Sequence, residues 1–137
     1  MQIEILQTGF QLTPHQNSSE SKLSDFDLPS LIATMKRSNS WENGELNALI
    51  LLKNPDEQII LTAMHEGTEV ESFQSNDSVS FQIIEGNLRF HLLKDSITLK
   101  KDQLMILKEH IKYRMISEDE TIFLLTISND IAPSANN

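Results

Sequence analysis

From Glu45 to about Ile127, apolar and polar residues alternate in short runs. Val79, Phe81 and Ile83 fall on one side of such a run, and Ser78, Ser80 and Gln82 on the other. Leu88, Phe90 and Leu92 alternate in the same way with Asn87, Arg89 and His91. A period of two is the mark of a strand with one buried face. Comparable runs occupy residues 46–52, 58–64, 96–99, 104–107, 112–116 and 121–127. They are punctuated by the turn Asn54-Pro55-Asp56-Glu57 and by Gly67. Roughly nine closely spaced strands predict an all-β sandwich or barrel.

Glu85-Gly86 reads as a two-residue hairpin turn. It sets Ile84 opposite Asn87 and Ile83 opposite Leu88. Directly opposed side chains share a face. Val79, Phe81, Ile83, Leu88, Phe90 and Leu92 then form one buried wall, with Arg89 and His91 outside.

The segment before the strands has a different character. Met1 to Leu12 alternates weakly and reads as a strand or an arm that pairs with a neighbour. Thr13 to Ser24 is polar and reads as a linker. Leu28, Leu31, Ile32 and Met35 fall at i, i+3, i+4 and i+7, the one clear helical pattern. Asp25 and Asp27 suit its N-terminal end, and Lys36-Arg37 its C-terminal end. A helix is expected over Pro29–Arg37. The chain thus divides into an arm, linker and helix (1–44), a β-barrel (45–130) and a tail (131–137).

Composition narrows the function classes. A chain of 137 residues supports a single core. Its net charge of −9 opposes phosphate backbones and anionic lipid surfaces, so no nucleic-acid or membrane partner is expected. There is no cysteine, which removes disulfides, thiolate metal sites and thiol nucleophiles. Met1-Gln2-Ile3-Glu4 does not begin a signal peptide, and a cytoplasmic location is expected.

The stretch from His65-Glu66-Gly67 through Val79–Ile84 to Glu85-Gly86-Asn87-Leu88-Arg89-Phe90 resembles the first conserved motif of the cupin family. Lys100-Lys101-Asp102 and the run Leu104 to Lys112 resemble the second. The resemblance spans roughly Trp41 to Ser128. It implies a cupin-type double-stranded β-helix, a jelly-roll barrel of two packed sheets, here preceded by the one short N-terminal helix read from the apolar period. It also implies frequent dimerisation and a pocket inside the barrel. The family's metal ligands would fall near Phe73, Ser75, Val79 and Lys112, none of which suits a metal. No metal or other cofactor is carried over.

Four histidines remain. His15 lies in the linker, His65 ends a strand, His91 faces outward by the alternation, and His110 precedes the second motif's ligand position. Their spacing matches no local metal motif. Lys112, placed by the resemblance at a pocket mouth, is a candidate grip for a small organic anion, against the alternative of a solvated rim lysine. The ligand-binding candidates are Lys112, His110, Phe73, His65 and Tyr113, and no catalytic residue is assigned. Glu66, Glu69, Glu71 and Asp77 read as a solvated acidic face. Trp41 and Tyr113 read as core or interface packing.

The expected function is a metal-free, cupin-like small-molecule-binding or accessory domain. The alternatives are a small enzyme, either a metal-independent isomerase or epimerase or a divergent metal-dependent oxygenase, and a structural homodimer with a filled barrel. A homodimer is expected in any case, with the Met1–Leu6 arm adding to a neighbour's sheet.

Overall fold

The computed structural model describes residues 10–12, 23–44, 46–71, 77–108 and 111–129. The eight runs named above form β2 (Leu46–Lys53), β3 (Glu57–Met64), β5 (Asp77–Glu85), β6 (Asn87–His91), β7 (Ser96–Lys100), β8 (Leu104–Leu107), β9 (Arg114–Ser117) and β10 (Thr121–Asn129), and a short strand that no run marked, β4 (Glu69–Glu71), lies between β3 and β5 in the chain. A further strand, β1 (Phe10–Leu12), precedes them and pairs in parallel with β2. Six strands form one sheet in the order β1-β2-β3-β10-β5-β8, and four form the other in the order β4-β9-β6-β7.

The inner faces of the two sheets share one core. Phe81, Phe123 and Ile60 come from the larger sheet, and Phe90, Leu88 and Met115 from the smaller, all fully buried. The anticipated wall is therefore real, except that Leu92 lies past the end of β6 and is only half-buried against it.

The hairpin at Glu85-Gly86 is not what joins that wall. β5 bonds to β10 and β8 in the larger sheet, whereas β6 bonds to β7 and β9 in the smaller one. Ile83 and Leu88 are thus not cross-strand partners. The segment is a corner at which the chain leaves one sheet for the other. The inward residues are odd-numbered before the corner and even-numbered after it, and a β-bulge makes this change of phase possible. Ile122 opposes Glu85 while Phe123 opposes Ile83, so Ile84 is the extra residue. Ile83 points into the shared core and Ile84 packs on the outer face. Gly86 supplies the bend at φ +89°. Asn87 holds the far side, its carbonyl accepting from Thr121 Oγ1 at 3.1 Å and from the Glu118 amide at 3.0 Å.

The outer face of the larger sheet is covered in part by two helices. α1 runs Leu28–Lys36, one residue earlier at each end than expected, and Asp27 caps it by accepting from the Ser30 amide at 3.3 Å. Ile32 and Met35 bury against Leu49, Leu61 and Ile122. Its last turn is tied down by Lys36, which pairs with Glu120 at 2.7 Å and Glu85 at 3.6 Å. The Glu120 hydrogen bond raises the Lys36 ammonium above its usual range. Its support is therefore complete below that range and is lost only as pH rises through the raised value.

α2 (Asn39–Asn43) has no counterpart in the sequence reading. Ser38 caps it, accepting from the Trp41 amide at 3.2 Å, and buried Asn47 of β2 donates to the Ser38 hydroxyl at 2.9 Å. Trp41 lies buried on the outer face of the sheet and does not close a barrel end. No helix among the described residues is long and apolar enough to cross a membrane.

Candidate functional site

β4, β9 and β6 lie side by side. Their register sets Glu71 opposite Arg114, and Arg114 opposite His91. The three side chains share the outward face, because Val70, Met115 and Phe90 take the inward one. Ile111–Tyr113 leads the chain into β9, and Leu92-Leu93 leads it out of β6, so both segments flank the same end of this row. Glu71, His91, Arg114, Lys112, Tyr113 and the two leucines together line an open dish of about 430 Å³.

The charges of the dish are unequal in freedom. Arg114 Nη1 lies 2.9 Å from Glu69 Oε2, so its guanidinium is already engaged. Lys112 is exposed and has no ion pair among the described residues. His91 is half-buried, and Leu93 stands almost wholly in solvent at the lip. Tyr113 joins the dish to the core. Its ring is buried edge-on to Phe81, at a centroid distance of 5.5 Å, and lies 5.9 Å from Phe90. The arrangement offers one exposed cation, one imidazole and an apolar floor. That set suits an anion with some carbon surface.

The barrel interior offers much less. Phe81 meets Phe90 at 4.7 Å and Phe123 at 5.8 Å, so four aromatic rings, with Tyr113, fill its middle. Val79, at a position where the resemblance implies a metal-ligating carboxylate, is buried in this apolar wall. Thr62 Oγ1, on the same inner face, is buried without a partner among the described residues. No three His, Asp or Glu side chains converge to hold a metal among the described residues. The residues described do not fit a metal centre inside the barrel.

The anticipated site residues thus part company. Lys112 and Tyr113 come together in the dish. Phe73 and His110 lie outside the described residues. His65 lies elsewhere: its ring stacks on Trp41 at 3.4 Å, and its Nε2 is 2.8 Å from the Trp41 carbonyl oxygen. It fastens α2 to the end of β3 and takes no part in the dish. Glu69 and Glu71 flank buried Val70 on the solvated side of β4, as the acidic face required. His91 and Arg114 are the additions that only register reveals.

The topology has close counterparts among solved structures. A cupin superfamily protein from Desulfitobacterium hafniense DCB-2 superposes with a TM-score of 0.61 at 16% identity, over 72% of this chain and 88% of that one. The fold is that of a cupin. A conserved protein of unknown function from Streptococcus pyogenes shares the cupin fold of this chain at a TM-score of 0.60 and 15% identity, over 64% of this chain and 77% of that one. Ectoine synthase from P. lautus superposes at 0.57 and 16% identity, over 61% of this chain and 64% of that one. No sequence-family model matches the chain, and no curated protein does. The cupin fold is therefore established by structure, at identities that carry no activity across.

Proposed function

We propose that this cupin-fold protein is a metal-free binding or accessory domain that takes a small organic anion in the dish at Lys112 and performs no catalysis of its own. The observation that carries this reading is the grouping of an exposed Lys112, without an ion pair among the described residues, with His91 and an apolar floor, next to an interior filled by aromatic rings. The dish is open, so the attraction is charge-assisted but screened, and affinity falls in the range of about micromolar to millimolar.

A thermal-shift series with succinate, citrate and inorganic phosphate tests it. An anion at ten times its Kd stabilises by about 1.4 kcal/mol, or ~4–6 °C for a chain of this size. Lys112→Met removes most of that shift while leaving the unliganded midpoint in place, because the side chain is exposed. An absence of any stabilising anion rejects the binding reading and favours a structural protein with a filled barrel, the alternative that the four packed rings support.

The metal-free part of the proposal has its own test. Zinc, iron, manganese or nickel should leave the midpoint unchanged, since only a ligand of the folded state raises it. A rise that disappears in His110→Ala would overturn it.

A further inference from the structure

We propose that the dish takes its ligand as a zwitterion: an aliphatic α-amino acid whose carboxylate meets Lys112, whose ammonium meets Glu71 and whose side chain rests against Leu92 and Leu93. This rests on the reading of the dish as the binding site and adds a second charge to it. Glu71 and Lys112 line the same cavity, and both are exposed. Neither has an ion pair among the described residues, and they do not pair with each other. Opposite charges directly across a strand pair ordinarily attract one another. Arg114 stands directly opposite Glu71, yet its guanidinium reaches instead to Glu69 at 2.9 Å. That contact occupies the one guanidinium of the dish. It leaves Glu71 and Lys112 as opposite charges on one rim, each without an ionic partner among the described residues.

These charges decide between ligand classes. A plain anion at Lys112 also faces the like charge of Glu71, and a plain cation at Glu71 faces that of Lys112. A ligand that carries both charges satisfies both groups and is repelled by neither. An α-amino acid holds its ammonium and carboxylate about 3 Å apart, and charge-assisted contacts add about 2.8 Å at each end, so it bridges a gap of up to about 8 Å. Glu71 and Lys112 have long side chains, and rotamer changes bring them onto a ligand that stands between them. The carbon part of the ligand is set by the leucines. Leu93 is 93% exposed, and an aliphatic side chain laid against it takes apolar surface of both out of water. The contacts are open to solvent, so affinity falls at about millimolar.

NMR titration of the full chain with leucine, isocaproate and isoamylamine tests this. The three share one branched carbon skeleton. Isocaproate lacks the ammonium, and isoamylamine lacks the carboxylate. Leucine is expected to bind, with amide shifts centred on Glu71, His91–Leu93 and Lys112–Arg114. The other two bind about two- to five-fold more weakly, the range of a single exposed ionic contact. Glu71→Gln keeps the shape of an exposed side chain and removes its charge. It weakens leucine by about two- to five-fold and tightens isocaproate, a pair of opposite signs that a mere disturbance of the dish does not produce. Lys112→Met weakens both. If isocaproate binds as well as leucine, or if Glu71→Gln leaves leucine unmoved, the zwitterion is overturned while the anion reading stands. If leucine shifts residues elsewhere in the chain, the zwitterion is likewise overturned. If no carboxylate shifts the residues of the dish, both readings fall.

Discussion

Gly86→Ala lowers the unfolding midpoint by roughly 10 °C or more. Two causes combine. The backbone at φ +89° is one that residues with a Cβ rarely adopt, and that conformation costs about 1–3 kcal/mol. A Cβ there also drives into the Glu120 carbonyl oxygen, lies 2.6 Å from Thr121 Oγ1 and lies 2.8 Å from Thr121 Cα. Two of these are backbone atoms at the start of β10, the strand that binds both β3 and β5, so they have nowhere to retreat. The sum is at least about 3 kcal/mol. Gly67 is an internal control. It has φ +88°, but a Cβ there meets nothing within 4 Å. Gly67→Ala should show the backbone cost alone, about 1–3 kcal/mol. Equal losses for the two variants in a denaturant titration would mean that the corner does not press on β10 as described.

Phe81→Ala is expected to cost about 3–5 kcal/mol. The ring is wholly buried and touches Phe90, Tyr113 and Phe123. Those three come from β6, the approach to β9, and β10, so the vacancy opens between both sheets and cannot be closed by one strand shifting. The remaining rings also lose their edge-to-face partner, worth about 0.5–1.5 kcal/mol per pair. An unfolding midpoint close to that of the unaltered protein would mean that the interior is loosely filled, and would reopen it as a ligand cavity.

Strands such as β5 and β6 were legible in the sequence because alternation is written locally and states the buried face, whereas β2 and β3, buried on both faces, were legible as apolar runs. The path between them was not. Glu85-Gly86 has the composition of a hairpin turn, and nothing nearby records that β5 and β6 find their partners in different sheets. The buried wall was nonetheless identified, because the bulge at Ile84 shifts the alternation by the one residue that a hairpin would also have required. α2 escaped notice because Asn39–Asn43 is too short to show a helical period. His65 looked available because the sequence does not reveal the indole that stacks on it. Lys112 was reached through family likeness, and Tyr113 through its rarity. His91 and Arg114 became neighbours through strand register alone, and residues 91 and 114 are too far apart in the chain for spacing to suggest it.

The position of β10 bears on how the molecule comes into being. It lies between β3 and β5 in the larger sheet, yet it is the last of the described strands to leave the ribosome. Until residues 121–129 emerge, β3 and β5 each present an open flank, and the Phe123 ring is missing from the interior. Sequence separations of this size are closed slowly, on a scale of about milliseconds to seconds. The nascent chain therefore passes through a stage with two adhesive flanks and an unfinished core, the kind of species in which aggregation competes with folding.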